Sequence, residues 1–330
     1  MQAFRDLPDL PMQLRDLLAQ IRAGKVTTYG GLAEALGNPI AARWVGHFML
    51  HHEHHDACPC HRVVRADGQL GGYIAGGPRA KAKRLATDGV VVRNSSVELA
   101  RFGFHAFVSD RPLERLRQVQ EALLAEVSLK ARRRMPKLIG GVDVSYPSPS
   151  EGVAAYALVE TATGRLAWSA TVRRRVAFPY ITSYLAFREL PVLLDLIDEV
   201  RAAGRLAGVL LVDGSGVLHQ RHAGIATHLG IAASLPTIGV TKKLLCGQVE
   251  LDGLEPEESR PVVYEGRPIG VALRPTAGSR RPIFISPGHR VDLAFAESAV
   301  RRLLLGRRLP EPLYWADRLS RAAGRAGAGK

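Results

Sequence analysis

Length, composition and charge narrow the classes of protein to which this chain can belong. Its 330 residues are 46% hydrophobic, which is enough to build sizeable cores and excludes global disorder, a collagen-like repeat and a small disulfide-framed domain. No apolar run approaches the roughly 20 residues of a membrane span, and the first residues lack the apolar stretch of a signal peptide. We therefore expect a soluble, cytoplasmic protein of two domains with no membrane partner.

The chain is strongly basic, with 45 Lys and Arg residues against 31 Asp and Glu residues and a formal net charge of +14. Neutralised phosphates release counterions, so nucleic acid is the natural partner for such a charge. There are three cysteines, and because two of them are separated by one residue, they do not form a disulfide framework. A thiol in this chain is more readily explained by chemistry than by crosslinking.

Residues 1–107 have the pattern of a small, mainly helical domain. Gly37 can end one short helix and Asn38 can cap the next, an arrangement typical of a DNA-binding helix-turn-helix. Farther along the chain, Cys60 directly precedes His61. A neighbouring imidazole can take the thiol proton and leave a nucleophilic thiolate, so this pair indicates a reactive cysteine.

Four ordered stretches of this domain resemble the alkylguanine-DNA alkyltransferases and their alkyltransferase-like relatives: residues 24–33, 37–46, 59–64 and 71–89. The resemblance implies a winged helix-turn-helix that binds DNA containing alkylated guanine. It implies that Cys60 accepts the alkyl group from a flipped 6-O-alkylguanine, and that His61, oriented by Asp88, activates the thiol. It also implies DNA contacts from three further side chains, Tyr29, Arg43 and Tyr73.

Two departures from the family leave a second hypothesis open for this domain. Asp88 stands where the family usually has glutamate, and His52 stands near its usual asparagine, so the domain could sense the lesion without transferring the group. The retained Cys60 favours transfer. Residues 51–55 contain four histidines, and with Cys58 and Cys60 they offer zinc ligands. No second ligand pair has a familiar spacing, so we expect a solvated loop there and not a zinc site.

Residues 108–330 alternate strand-like and helix-like patterns. The predicted helices cover residues 113–127, 183–203, 224–233 and 292–305. The predicted strands cover residues 138–144, 153–160, 166–172, 206–212, 237–240, 269–273 and 283–286. A meander followed by strand–helix alternation predicts a mixed sheet with helices on its faces, and therefore an α/β chain overall. From about residue 320, the Ala-, Gly- and Arg-rich sequence predicts a disordered tail.

Three acids interrupt apolar elements of this second domain. Asp143 lies inside a predicted strand, Asp213 ends another, and Glu189 lies in a predicted helix. A buried acid is costly unless it is paired, and acids on separate elements can converge on the divalent metal that phosphodiester cleavage requires. Taken singly, each acid is equally compatible with a salt bridge or a strand-end cap.

The surroundings of these acids resemble endonuclease V, the deoxyinosine-directed nuclease, in residues 140–146, 179–181, 184–189, 212–216, 219–221, 224–230, 236–242 and 286–291. The resemblance implies an RNase H-like fold in which Asp143, Glu189 and Asp213 bind Mg²⁺, with Mn²⁺ as an alternative ion. It also implies cleavage of the second phosphodiester 3′ to deoxyinosine. A rival hypothesis gives the nuclease inosine-containing RNA, because the metal site would serve either sugar.

The same resemblance assigns roles to other residues of the nuclease domain. His289 would help to place the metal or the water, and Lys242 would contact the scissile phosphate. Tyr180 would be the wedge that opens the duplex, and Arg188 and Arg221 would contact DNA. The sequence therefore predicts a DNA-repair fusion protein that acts on deoxyinosine and on alkylated guanine.

Overall fold

The computed structural model describes residues 7–130, 132, 134–279 and 281–326. It divides into two compact units. Of these described residues, the smaller unit contains Pro8–Val119 and Phe178–Thr182, and the larger contains Leu7, Gln120–Ala177 and residues 183–326. Within the described ranges, no helix has both the length and the apolar character that a membrane span requires.

The smaller unit is mainly helical. Its helices are α1 (Leu10–Ala19), α2 (Tyr29–Ala35), α3 (Ala42–His51), α4 (Gly77–Thr87) and α5 (Leu99–Phe102). Two short strand pairs accompany them: β1 (Thr27–Thr28) parallel to β2 (Val63–Val64), and β3 (Val92–Arg93) antiparallel to β4 (Ser96–Val97). Single 3₁₀ turns cover Pro39–Ala41 and Pro59–Arg62.

The predicted turn between two short helices is confirmed, and its residues explain it. The Asn38 side chain accepts from the Ile40 amide at 3.1 Å, which caps the second segment. Gly37 has a φ of +102°, and a Cβ there would lie 2.7 Å from the backbone nitrogen of Glu114. Only glycine fits this turn, so its position fixes where α2 ends.

The larger unit is built on one mixed sheet of eight strands. They are β5 (Leu138–Ser148), β6 (Glu151–Glu160), β7 (Leu166–Arg175), β8 (Leu210–Asp213), β9 (Thr237–Thr241), β10 (Ser259–Tyr264), β11 (Arg267–Leu273) and β12 (Ile283–His289). The strand order is β10-β11-β12-β9-β8-β5-β6-β7. Strands β5, β8 and β9 run parallel, and the other neighbours are antiparallel.

Helices cover this sheet: α7 (Leu185–Ala202), α8 (Ile225–Ala232), α9 (Leu293–Arg302) and α10 (Glu311–Ala326), preceded in the chain by α6 (Pro112–Ala122). Helix α10 lies very close to β5, since a Cβ on Gly141 would come within 2.4 Å of the Pro312 backbone. Ile139, two residues earlier on the same face of β5, shares a buried cluster with Leu313 of α10. This α/β arrangement agrees with the mixed sheet predicted from the sequence.

The predicted disordered tail from residue 320 is wrong for the described residues. They continue α10, and Ser320 is fully buried. The small side chains explain the error, because they allow a helix to approach a sheet closely. A Cβ on Gly324 would lie only 3.6 Å from Pro147 of β5. Residues 327–330 lie outside the described ranges.

Candidate functional site

Three acids of the larger unit meet at the centre of its sheet. In the parallel pair β5–β8, Val142 is in register with Val212. Asp143 directly follows Val142, and Asp213 directly follows Val212, so the two aspartates are neighbours. Burial, and next the charge of Asp213, raise the pKa of Asp143 to about 7. Burial, and then the charges of Asp143 and Asp213, raise the pKa of Glu189 on α7 to about 8. The three acids therefore lie close enough for mutual repulsion.

Each acid also has one polar neighbour that holds it in place. Lys242 Nζ donates to Asp213 Oδ2 at 2.7 Å. The hydroxyl of Tyr146 donates to Glu189 Oε1 at 3.3 Å. The Ser320 hydroxyl donates to Asp143 Oδ2 at 3.0 Å. The structure thus brings the predicted Lys242 to the acids, and adds two neighbours that the sequence did not suggest.

A fourth acid of the site, Asp317, was not predicted from the sequence. It lies on α10, its charge helps to raise the pKa of Asp143, and its carbonyl accepts from the Ser320 hydroxyl at 3.1 Å. Its Oδ1 accepts from Arg321 Nε at 2.9 Å. The sequence Pro310-Glu311-Pro312 could have predicted the start of α10, the helix that carries Asp317, because proline favours the first turn of a helix.

The structure does not place His289 with the acids, which corrects the role predicted for it. His289 is in register with Thr237 at the start of β9, whereas Asp213 is in register with Val240. Three residues along a strand correspond to about 10 Å. The His289 ring instead accepts from the Ser128 amide at 3.4 Å, so its contacts are structural.

Two arginines predicted to contact DNA are engaged within the protein. Arg188 is only 8% exposed and donates to the Pro149 carbonyl at 2.8 Å. Arg221 donates to the Ser183 carbonyl at 2.6 Å. These contacts hold both side chains against neighbouring loops, and their DNA contacts stay predictions. Tyr180, in contrast, is 64% exposed and is free to meet a partner.

A cavity of about 280 Å³ opens beside the Tyr146 side chain. Its lining comes from the end of β5 and from the last turns of α10: Ser145, Tyr146, Pro147, Arg321, Gly324 and Arg325. Tyr146 touches Glu189 and Arg321 touches Asp317. The cavity therefore adjoins the acids and adds two positive charges suited to a phosphate.

In the smaller unit, the structure brings His61 and Asp88 together as the resemblance implied. His61 Nε2 lies 2.8 Å from Asp88 Oδ2, which also accepts from Arg62 Nε at 2.5 Å. Burial raises the pKa of Asp88, but the hydrogen bonds from Arg62 and His61 outweigh burial and hold it below the usual value. Burial, opposed by Asp88, lowers the pKa of His61. At neutral pH, Asp88 is therefore ionised and His61 is neutral.

Cys60 is buried, and its neighbours come from the histidine run and from Cys58. Its Sγ lies 3.5 Å from His54 Nδ1, and Cys58 Sγ lies 3.3 Å from His52 Nε2. Hydrogen bonds with Cys60 and His52 lower the pKa of Cys58, whereas the hydrogen bond with Cys58 and burial raise the pKa of Cys60. The solvated loop expected here holds for the exposed residues 53 and 55–57, whereas His52, Cys58 and Cys60 are buried.

The predicted DNA-contacting residues of this unit occupy different environments. Arg43 is exposed on α3, and Tyr29 is half-buried at the start of α2. Tyr73 is buried, with its ring centre 5.8 Å from that of His54. Lys81, which carried no predicted role, is also buried, and its ammonium donates to the carbonyls of Val63, Leu70 and Gly72. Lys81 therefore ties the segment that carries Tyr73 to β2.

Comparisons with known proteins match the two parts of the chain separately. Residues 121–318 match the family described as endonuclease V, and residues 10–90 match the family described as 6-O-methylguanine DNA methyltransferase, DNA binding domain. A bifunctional methyltransferase/endonuclease from Picrophilus torridus is 34% identical over 295 residues, which are 89% of this chain and 90% of that protein.

Solved structures show the same likeness for the larger unit. The crystal structure of human ENDOV is 33% identical, with a TM-score of 0.61 over 66% of this chain and 100% of that one. Endonuclease V from Ciona intestinalis, in complex with DNA containing an inosine followed by a ribo-adenosine, is 26% identical, with a TM-score of 0.58 over 66% of this chain and 99% of that one.

Proposed function

The chain belongs to the endonuclease V family, and from this premise we propose that it is a DNA-repair fusion protein with two activities. Residues 108–330 form a metal-dependent nuclease that nicks DNA at the second phosphodiester 3′ to deoxyinosine. Residues 1–107 bind 6-O-alkylguanine and transfer the alkyl group to Cys60. The observation that supports the nuclease is the convergence of Asp143, Glu189 and Asp213, each from a separate element.

The donor set of the larger unit fits a divalent cation of the Mg²⁺ type. Hard cations prefer carboxylate oxygens, and a site of mutually repelling carboxylates gains most from a bound positive charge. Asp143, Glu189 and Asp213 would hold the ion, with Asp317 beside them. When bound, the ion would supply charge neutralisation at the scissile phosphate and an activated water.

Other residues of the chain would bind and orient the substrate. Lys242 Nζ is held at Asp213, from which it can reach a phosphate oxygen. Arg321 and Arg325 line the adjoining cavity and would attract the strand on either side of the cut. Exposed Tyr180 would insert beside the hypoxanthine and open the duplex. Ser320 and Tyr146 would keep two of the acids fixed.

In the smaller unit, the Cys60 sulfur would attack the alkyl carbon of the flipped base. The S–C bond forms as the C–O6 bond breaks, and the electron pair of the broken bond moves to O6. The departing base then takes a proton and becomes neutral guanine. His61, neutral and held by Asp88 at 2.8 Å, can accept the thiol proton. Because no step regenerates the thiol, each molecule would act once.

A cleavage assay with metal add-back tests the nuclease proposal. Metal-free protein should leave a deoxyinosine duplex intact, and Mg²⁺ or Mn²⁺ should restore nicking. Asp213→Asn should lower the rate by at least about 10³-fold, since it removes a metal-binding charge and the partner of Lys242. Asp198→Asn, an exposed change on α7 away from the site, should cut like the wild type. Equal cleavage by Asp213→Asn would refute the assignment.

Intact-protein mass spectrometry tests the transfer proposal. After incubation with an oligonucleotide containing 6-O-methylguanine, the wild type should gain the mass of one methyl group and Cys60→Ala should gain none. Tight binding without a mass gain would instead support the lesion-sensor hypothesis, in which the larger unit is the only enzyme.

A second candidate substrate for the nuclease is inosine-containing RNA. The Ciona relative binds a strand in which a ribonucleotide follows the inosine, and the acids would serve either sugar. Matched DNA, RNA and DNA strands with a single ribonucleotide after the inosine discriminate the two. We expect the DNA duplex to be cut, and cleavage confined to strands with a ribose at that position would favour the RNA substrate.

A further inference from the structure

The histidine-rich run of the smaller unit contains a compact group of four metal-ligating side chains. One ligand atom from each of His52, His54, Cys58 and Cys60 lies within 4.8 Å of the other three. In a tetrahedral zinc site with bonds of about 2.0–2.3 Å, ligand atoms are separated by about 3.3–3.8 Å. Two of the observed separations, 3.3 Å for His52–Cys58 and 3.5 Å for His54–Cys60, already fall in that range.

The local fold explains why these side chains converge. Helix α3 ends at His51, and the ring of His52, its C-cap, packs on Phe48 with a centroid separation of 5.3 Å. The Nδ1 atom of His52 is 3.1 Å from the Phe48 carbonyl, which leaves Nε2 directed at Cys58. A backbone carbonyl that fixes one ring nitrogen of a histidine is the usual outer support of a metal ligand.

The cysteines are presented by the following turn. Cys58 precedes the 3₁₀ turn Pro59–Arg62, and Cys60 lies within it, so both sulfurs face back towards the end of α3. The ring of His54 presents its Nδ1 atom to this turn, 3.5 Å from Cys60 Sγ. Each of the two sulfurs therefore faces one imidazole nitrogen, His52 Nε2 or His54 Nδ1.

The neighbouring histidines show that this is a selected set and not simply a basic loop. His51 and His55 of the same run are exposed and lie outside the cluster, whereas His52, Cys58 and Cys60 are buried. Two sulfurs and two imidazole nitrogens form the donor set that zinc prefers in closed, four-coordinate sites, and carboxylate-seeking ions such as Mg²⁺ do not bind it well.

We propose that His52, His54, Cys58 and Cys60 form a Zn²⁺-binding site in the smaller unit. On binding, both sulfurs ligate as thiolates, and any proton that they still carry is released to solvent. The site includes the residue to which the proposed function assigns alkyl transfer. The bound ion would therefore hold Cys60 as an anchored thiolate, a consequence that rests on that function, although the binding itself does not.

Cobalt substitution of the full chain tests the site without any DNA substrate. Metal-free protein titrated with Co²⁺ should show a thiolate-to-cobalt charge-transfer band that saturates at one equivalent, and Zn²⁺ should abolish it. Cobalt bound by the acids of the larger unit does not contribute to this absorption band, because carboxylate ligands give no such charge-transfer transition. A titration without the band overturns the proposal.

Paired variants locate the site and control for folding. Cys58→Ser and His54→Ala should each lose the band and lower the bound zinc, measured by elemental analysis after gel filtration, by about one equivalent. His55→Ala, an exposed change in the same run, should keep both. Circular dichroism establishes that each variant is folded. Zinc content in folded Cys58→Ser equal to that of the wild type overturns the assignment.

Thiol protection gives an independent readout on the unmodified chain. Iodoacetamide alkylates free thiolates with release of iodide, and Cys246, which belongs to the larger unit, serves as the internal reference. Zinc should slow modification of Cys58 and Cys60 by at least about tenfold and leave Cys246 unchanged. Equal rates with and without zinc overturn the proposal. Failure of methyl transfer with zinc bound would refute only the transfer.

Discussion

The buried acids should make the metal-free nuclease unit less stable as pH rises, and Asp143→Asn should relieve part of that cost. Burial and mutual repulsion raise the pKa of Asp143 to about 7 and that of Glu189 to about 8. A group whose pKa is raised in the folded state contributes stability at low pH and loses it as pH rises through the folded pKa. The asparagine side chain has nearly the same shape and never ionises.

The size of the effect follows from the pKa of Asp143. The unfolded carboxyl ionises near its ordinary value of 3.8, and the folded one near about 7. Between about pH 5.5 and about pH 7, the difference in ionisation of Asp143 lowers the free energy of unfolding by about 1.4 kcal/mol for each pH unit. Over this range, Asp143 alone therefore lowers it by about 2 kcal/mol. For a unit of this size, that lowers Tm by about 4–8 °C. Glu189 adds a loss of the same sign.

Differential scanning calorimetry in chelator at about pH 5.5 and about pH 8.5 measures this difference. We expect the Tm of the larger unit in the wild type to be lower at the higher pH than at the lower pH. In Asp143→Asn, this decrease should be several degrees smaller. Asp198→Asn, at an exposed ion pair with Arg201, should follow the wild type. Mg²⁺ should restore the wild type at the higher pH. An identical fall in the wild type and Asp143→Asn would refute the electrostatic reasoning.

Three further predictions follow from other contacts. Lys242→Ala should reduce nicking by about 10²–10³-fold, because it removes the cation nearest the expected phosphate. Lys243→Ala, at the exposed neighbouring residue, should be active, and equal rates for the two variants would contradict the phosphate contact of Lys242. Gly141→Ala should destabilise the larger unit by about 1–3 kcal/mol in urea unfolding, because its Cβ would collide with Pro312, and an unchanged midpoint would be the contrary result. Lys81→Met should destabilise the smaller unit by about 2–4 kcal/mol, because it leaves buried carbonyls unpaired; a stability equal to that of the wild type, measured by the same denaturation, would show that these bonds contribute little.

The sheet of the larger unit was predictable because its central strands are apolar runs bounded by turn residues. Strand β10 (Ser259–Tyr264) was missed, since Arg260 and Pro261 interrupt any alternation and the strand lies at the sheet edge. Helix α10 was missed beyond Ser320 because small residues were interpreted as a frayed tail, although they allow the helix to pack closely on β5.

The acids were predictable individually, but their complete set was not. Asp143 and Asp213 interrupt apolar strands, which marks them in the sequence. Asp317 lies on an amphipathic helix, where an acid is ordinary, and only the packing of α10 brings it to Asp143. His289 was misplaced because linear sequence does not reveal that β12 runs antiparallel to β9, which carries its last residue to the opposite end of the sheet.

The cysteine and histidine cluster shows the same limit. The separation of His52 from Cys58 along the chain matches no familiar ligand spacing, and it becomes meaningful only when α3 ends and the Pro59–Arg62 turn folds back towards it. Cys60 and His61 were predictable because they are adjacent in the chain. The residues nearest the Cys60 sulfur come from the preceding loop.

The most direct test of the account is the position of the cut in a 5′-labelled duplex with one deoxyinosine, treated with the full chain and Mg²⁺ and resolved to single nucleotides. We predict a single labelled product that ends one nucleotide 3′ to the inosine, with the base still attached, and no product from an otherwise identical duplex with adenine. Cleavage at other positions, or equal cleavage of the adenine duplex, would contradict the assignment of the larger unit as a deoxyinosine-directed nuclease.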